Sequence, residues 1–370
     1  MERTRRVIVK IGSSLLTDSE VGINMSVVER IAAQVAALRK KGIEVCIVSS
    51  GAVAIGRVLM GWLDRRLSVH EKQACAAMGQ PSLMQAYKQA FMEHDLHVAQ
   101  LLLTKDDLRH RRRYLNASNT SETLFSAGVI PIVNENDTVV VEEIKFGDND
   151  TLGALVSLVI DADLLLMMTD VDGLFSDNPA NNSDAERLSM VESVTSEVMH
   201  MAGDAGSAFG TGGMVSKLKA ARIATRGGVA GAIVNGHREN VLADFLNGDD
   251  LGTLFLCGED RQSKRQHWIL DVLHPTGKIH VDAGAAKAVI EEGGSLLPIG
   301  MTQIDGMFDK GECVELEGPD GVFARGLCNY NVEEMRKLVG VSSEKIEEAL
   351  GFVDFTSVIH RDNLVLLDSD

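Results

Sequence analysis

The chain has 370 residues, of which 45% are hydrophobic and 4% aromatic, and it carries a formal net charge of −17. That length exceeds a single hydrophobic core and predicts two or three domains. The acidic balance argues against a general polyanion binder, because nucleic-acid backbones are held by excess Lys and Arg, but a few local cations suffice for a small anion.

The five cysteines, Cys46, Cys75, Cys257, Cys313 and Cys328, form no C-x-x-C pair. They read as buried thiols in a reducing compartment, without a zinc site or a disulfide framework. Met1 to Arg6 is charged and runs directly into VIVKIG, and no uninterrupted apolar stretch reaches membrane-spanning length. A cytoplasmic location and no membrane partner are the expectation.

Val7 to Leu16 reads as a first strand that ends around Gly12, Ser13 and Ser14. Ser26 with Glu29 predicts a capping box, followed by a helical stripe of Val27, Val28, Ile31, Val35 and Leu38 that stops at Gly42. A second strand, Glu44 to Val48, runs into SSGAVAIG and a further helix, the opening of a βαβ unit. Strands are expected again at His97 to Leu103, Val129 to Val133, Asp163 to Met168 and Val229 to Val234, alternating with helices. This alternation predicts an α/β fold with a doubly wound, mainly parallel sheet over residues 1–257. Residues 258–275, which include the polar run GEDRQSKRQH, read as a linker. Residues 276–370 change texture to short strands and turns with helices at Gly284 to Glu292, Val332 to Leu338 and Glu344 to Leu350, so a small β-rich domain is expected there.

The segment NENDTVVVEEIKFGDND, Asn134 to Asp150, gathers Asn134, Glu135, Asn136, Asp137, Asp148, Asn149 and Asp150 around a small hairpin-like stretch after the expected strand Val129 to Val133. The carboxyl edge of an open α/β sheet is where such folds place their ligands. A solvated turn needs one or two residues of this kind, so seven favour a ligand grip. The apolar run Leu152 to Ile160 suits a helix, which Asp150 or Thr151 would cap.

Lys10 stands in a run of Val and Ile, and Gly12 beside it would let phosphates approach the backbone. GTGGMVSKLKAA, Gly210 to Ala221, offers converging backbone N–H groups and places Lys217 one turn into a helix. Its spacing fits neither a Walker A loop nor a dinucleotide fingerprint. TDVDGLFSDNP, Thr169 to Pro179, follows another strand and reads either as a nucleotide contact or as an Asp-Gly turn. Together these stretches suggest phosphoryl transfer, with cations for the phosphates, carboxylates to orient them and to bind Mg²⁺, and glycines for access.

VIVKIGSSLL, IVSSGAVAIG, PIVNENDTVVVEEIKFGDND, LLLMMTDVDGLF and GTGGMVSK, in this order and at these spacings, resemble the amino acid kinase family. Residues 276–353 are similar to a PUA domain. The resemblance implies ATP-dependent phosphorylation of the γ-carboxylate of L-glutamate, the entry to proline synthesis. It implies Ser50, Asn134, Asp137 and Asn149 as glutamate contacts. Lys10, Gly12, Thr169, Asp170, Thr211, Gly212, Gly213, Met214 and Lys217 would bind ATP. Lys10 and Lys217 would stabilise the transferring group, with Asp150 orienting both. ATP and Mg²⁺ are the implied cofactors, proline the implied feedback inhibitor and a homo-oligomer the implied assembly. GLFSDNP departs from the family's usual aromatic-Thr-Ala-Asp-Pro loop, which leaves nucleotide preference open.

The run KDDLRHRRR, Lys105 to Arg113, alternates with acids and reads as a solvated or subunit-contact surface. Residues 271–370 hold 8 Lys and Arg against 19 Asp and Glu, a net of −11 that disfavours RNA as their partner. Two other readings stay beside the main one. One is another small-anion kinase acting on acetylglutamate, aspartate, carbamate or a nucleoside monophosphate, and the other is a non-catalytic, RNA-associated metabolite sensor.

Overall fold

The computed structural model describes residues 4–18, 22–139, 149–177, 182, 184–202, 213–258, 269 and 273–367. The chain divides into two compact units, Met1–Asp107 with Leu115–Glu259, and Leu108–Tyr114 with Asp260–Asp370.

The first unit begins with β1 (Arg6–Ile11), α1 (Ser13–Leu16), the short pair β2 (Thr17–Asp18) and β3 (Gly22–Ile23), α2 (Met25–Lys40) and β4 (Glu44–Val48). Next come α3 (Ala52–Leu59), α4 (Val69–Met92), β5 (Val98–Leu103), α5 (Lys105–Arg109), α6 (Arg111–Ser126), β6 (Ile130–Glu135) and α7 (Asn149–Val159), with the end of α5 and the start of α6 falling in the segment Leu108–Tyr114 of the second unit. The last elements are β7 (Leu164–Thr169), β8 (Met190–Val191), α8 (Ser196–Met201), α9 (Met214–Arg226), β9 (Ala230–Asn235), α10 (Val241–Asn247) and β10 (Gly252–Phe255). Eight of the strands form one sheet in the order β5-β6-β4-β1-β7-β9-β10-β8. Every neighbouring pair from β5 to β9 is parallel, and β10 runs antiparallel to β9. The α/β, mainly parallel architecture expected from the alternation of strands and helices is the one found. The antiparallel edge was not anticipated, because Gly252–Phe255 is only four residues long.

β1 is central, paired with β4 on one side and β7 on the other. Val7, Val9 and Ile11 enter a core with Ile31, Val35, Leu83, Tyr87 and Phe91 of α2 and α4. The period of two turns Ile8 and Lys10 to the opposite face. There α7 crosses, and a Cβ on Gly153 would lie in ordinary contact, 3.5 Å, with Lys10 Cβ.

Three local expectations are corrected. β1 ends at Ile11, not Leu16: the Gly12 N–H donates to Met168 O at 3.1 Å, and the Leu15 N–H to Gly12 O closes a turn. Leu15 and Leu16 are buried in the same core as Val7, so an apolar run hides a change from strand to helix. The cap of α2 is Asn24, whose side chain accepts from the Val27 N–H, and Ser26 Oγ donates to Asn24 Oδ1 at 2.8 Å. α7 already includes Asn149, so Asp150 sits in its first turn and is not its cap.

In the second unit, β11 (Gly277–Val281), β12 (Met301–Gly306), β13 (Cys313–Gly318), β14 (Gly321–Leu327) and β15 (Leu364–Leu366) form a sheet in the order β12-β11-β13-β14-β15. Ile279, Leu316, Ala324, Tyr330, Met335 and Ile359 give it a core of its own. Helices Ala283–Glu292 and Val332–Leu338 lie where periodicity put them. The third is split into a 3₁₀ turn, Ser343–Lys345, and a helix, Ile346–Leu350. No cysteine is in a disulfide, and four of the five are buried.

Candidate active site

The carboxyl ends of the parallel strands carry two adjoining clusters of buried polar groups, one charged and one neutral. They meet at the first turn of α7.

Lys10, the penultimate residue of β1, is only 4% exposed, as is Lys217 of α9. Asp150, 1% exposed, lies between them. Its Oδ1 is 2.5 Å from Lys10 Nζ and its Oδ2 is 3.4 Å from Lys217 Nζ. Ser216 Oγ donates to the same Oδ2 at 2.5 Å. Burial opposes ionisation of Asp150, but Lys10 and then Lys217 outweigh it and hold the carboxyl below its usual range. Burial, helped by the Lys10 charge, pulls the Lys217 ammonium down against the attraction of Asp150. Two buried ammonium groups share one carboxylate, so the cluster carries a net charge of +1 and its electrostatic complement is an anion.

α9 starts at Gly213, which provides no side-chain cap, although its carbonyl accepts from the Ser216 N–H at 3.1 Å. Thr169 closes β7, and its Oγ1 donates to the Asp170 carboxylate at 3.0 Å. Asp170 is exposed, and its charge adds a small opposition to the lowering of Lys217 by burial. Gly12 is buried at the end of β1. Gly213 and Met214 open α9, whereas Thr211, Gly212 and the Asp148 side of the acidic stretch lie outside the described residues, as do residues 140–147.

The neutral cluster begins with Asn149, beside Asp150. Asn149 Nδ2 donates to Ser49 O at 2.9 Å and lies 3.1 Å from Ser50 Oγ and 3.2 Å from Asn134 Oδ1. Asn134 is the fifth residue of β6, inside the strand and not in the loop after it. This corrects the expected end at Val133. Its Nδ2 donates to Gln80 Oε1 of α4 at 2.7 Å. Gly51, which follows Ser50, has φ +96°, a left-handed conformation suited to glycine. The turn lets the backbone enter α3 directly. Asp137 is half-buried in the turn after β6, and burial followed by the charge of Glu135 pushes its carboxyl up to about 7.

Ser50, Asn134 and Asn149 are therefore brought together, and so are Lys10, Asp150 and Lys217. Gln80 was not foreseen, and Ser216 falls within the loop from Thr211 to Lys217 that the resemblance gave to ATP, without its bond to Asp150. Ser216 directly precedes Lys217 in GTGGMVSK, and Gln80 precedes Pro81 inside a helix, where no motif marks it. Among the described residues, no three His, Cys, Asp or Glu side chains converge as a metal cage.

A parallel sheet whose carboxyl edge presents two buried lysines on a shared carboxylate, next to a cluster of carboxamides and hydroxyls, defines a small-molecule phosphotransferase. The chain belongs to the amino acid kinase family, whose model matches residues 5–235, and a PUA domain model matches residues 277–350. It is 49% identical over 368 residues to a protein of Trichlorobacter lovleyi named glutamate 5-kinase, covering 99% of this chain and 98% of that one. A protein of Geobacter sp. (strain M21) with the same name is also 49% identical, with 99% of each chain covered. Among solved structures, the UMP kinase of Ureaplasma parvum is similar in fold, with TM-score 0.50 and 17% identity, covering 69% of this chain and 99% of that one.

Proposed function

We propose that this protein transfers the γ-phosphoryl group of ATP to the γ-carboxylate of L-glutamate, giving L-glutamyl 5-phosphate and ADP, the entry to proline synthesis. The observation that carries the reading is the pair of buried lysines on Asp150 beside the Asn149 pocket. The identity of the full-length relatives supports it.

A carboxylate with an ordinary pKa near ~4.3 is already an ionised nucleophile at neutral pH, so no general base is needed. The γ-carboxylate oxygen attacks the γ-phosphorus, the bond to the β-phosphate oxygen breaks, and its electrons leave with ADP. Lys10 and Lys217 stand where negative charge builds up on the transferring group. Asp150 positions both ammonium groups and offsets part of their mutual repulsion. Gly12, Thr169, Asp170, the 211–214 segment and the uncapped start of α9 form the nucleotide side. Ser50, Asn134, Asp137 and Asn149 form the glutamate side.

The residues fit Mg²⁺ carried on the nucleotide phosphates, where it would neutralise charge, because the Asp150 oxygens are already taken by lysines and Ser216. Proline shares the ammonium and α-carboxylate of glutamate but lacks the distal carboxylate, so it is expected to compete with glutamate and not with ATP. We further place the kinase domain at residues 1–257, the linker at 258–275 and the PUA-like domain at 276–370, in a cytoplasmic homo-oligomer. Among the described residues, no helix is long and apolar enough to cross a membrane. Measuring ADP release with L-glutamate, acetylglutamate, aspartate, carbamate and UMP in parallel tests the assignment. L-glutamate should give the largest kcat/KM, and a larger value for any other acceptor would overturn it.

A further inference from the structure

Three side-chain carboxamides form a head-to-tail chain whose direction is fixed by the backbone. The Glu135 N–H donates to Asn134 Oδ1 at 3.0 Å, and Asn149 Nδ2 donates to the Ser49 carbonyl at 2.9 Å. A backbone N–H only donates and a carbonyl only accepts, so neither amide can be turned over. Asn134 Nδ2 is then a donor, and the atom it meets 2.7 Å away must be Gln80 Oε1. This leaves Gln80 Nε2 at one end of the chain and Asn149 Oδ1 at the other. Both atoms are buried and have no hydrogen-bond partner among the described residues. Buried polar atoms are normally paired, so an unmet donor and an unmet acceptor on one network point to a ligand that supplies both partners.

The place of Gln80 in the fold says which part of the ligand it meets. Gly79 precedes it in α4, and a Cβ on Gly79 would stand 2.0 Å from the Ala52 carbonyl oxygen. α4 therefore runs against the first turn of α3, whose N-terminus at Gly51 has no side-chain cap. Gln80 follows the residue seated on that turn, and its free amide N–H is a donor, which suits a carboxylate. Asn149 Oδ1, at the other end, suits an ammonium group. An α-amino acid head group presents both.

We propose that Gln80 is a specificity-determining residue whose Nε2 donates to the α-carboxylate of the acceptor amino acid, while its Oε1 holds Asn134. The inference rests on the reading of L-glutamate as the acceptor. A residue that merely propped Asn134 would need Oε1 alone.

Gln80→Glu separates the two roles, because it keeps an acceptor for Asn134 and replaces the donor by a negative charge. The KM for L-glutamate should rise on the order of tenfold or more. The preference for L-glutamate over 4-aminobutyrate, which lacks the α-carboxylate, should narrow by a similar factor. Gln80→Met, close in size and uncharged, guards against misfolding of the Glu variant. It should lose the thermal stabilisation given by L-glutamate and retain that given by ATP. Variants that keep the wild-type KM, the wild-type preference and glutamate-induced stabilisation would overturn the proposal. A wild-type protein that neither phosphorylates L-glutamate nor is stabilised by it would instead overturn the functional reading itself.

Discussion

Asn149 and Asp150 are consecutive in the chain, yet their side chains serve different clusters. Asn149 Nδ2 lies 2.9 Å from the Ser49 carbonyl, and Asp150 Oδ1 lies 2.5 Å from Lys10 Nζ. Two neighbours in the first turn of a helix point about 100° apart around its axis. The start of α7 therefore ties the carboxamide cluster to the two buried cations, and a shift of this turn would disturb both.

Lys10→Ala and Lys217→Ala should each lower kcat by roughly 10² to 10³, as for loss of one preorganised charge donor. Steady-state kinetics with both substrates varied checks this. A variant that keeps kcat and only raises the KM for ATP would contradict a role in the transition state.

Asp150→Ala leaves two buried ammonium groups without a counter-charge, a change that typically costs about 3 to 5 kcal/mol. The melting temperature should fall, and Asp150→Asn, which keeps the shape but not the charge, should fall too. Because the remaining cations attract anions, ATP should stabilise the Ala variant by at least as much as it does the wild type. A melting temperature unchanged by the substitution would show that the lysines do not depend on Asp150.

The raised carboxyl of Asp137 gives a pH dependence with a definite sign. Its pKa is about 7 in the folded protein, above its ordinary value of 3.8. Between these values the unfolded chain has lost the proton and the folded protein keeps it, so stability falls as pH rises through this window and levels off above about 7. Asp137→Asn should therefore gain stability relative to the wild type from pH 4 towards pH 7, as read by melting curves at several pH values. With Asp137 on the proposed glutamate side, where its carboxylate would attract the substrate ammonium, the KM for L-glutamate in the wild type should rise as pH falls below about 7 and that carboxylate takes up a proton.

The α3–α4 contact should be intolerant of added volume. A Cβ on Gly56 would stand 1.8 Å from the Cys75 carbonyl oxygen, and one on Gly79 2.0 Å from that of Ala52. Gly79→Ala must move backbone, with an expected cost of about 1 to 3 kcal/mol. Since Ala52 follows Ser50 and Gly51 directly, the KM for L-glutamate should rise with it. Thermal melting with kinetics of the same variant tests the coupling.

The alternation of apolar strands with helical stripes made the sheet and its carboxyl edge legible, and with them the positions of Lys10, Asn134 and Asn149. What periodicity could not show was where burial continues through a change of backbone. Leu15 and Leu16 are as apolar as the strand before them but lie in α1, and Asn134 is polar yet belongs to β6. Gln80 was missed for a related reason: a single amide in a helix has no local pattern, and its importance comes from Asn134, 54 positions away. The Arg6 side chain illustrates the same limit, since it bonds both Glu44 and Glu122, which are distant from it in the chain. The bridging place of Asp150 came from the family resemblance and not from periodicity, which marks only a charged residue; the fold brings Lys10 and Lys217 to its two oxygens.

The most direct test of the account follows the product itself. Protein incubated with ATP, Mg²⁺ and L-glutamate in the presence of hydroxylamine should form γ-glutamyl hydroxamate in step with ADP, because hydroxylamine attacks the carbonyl carbon of a γ-acyl phosphate and releases phosphate. The account predicts this product from wild-type protein and its loss on the order of 10² or more with Lys217→Ala. ADP formed without any hydroxamate, or hydroxamate formed equally by the Lys217 variant, would contradict transfer to the γ-carboxylate at this site.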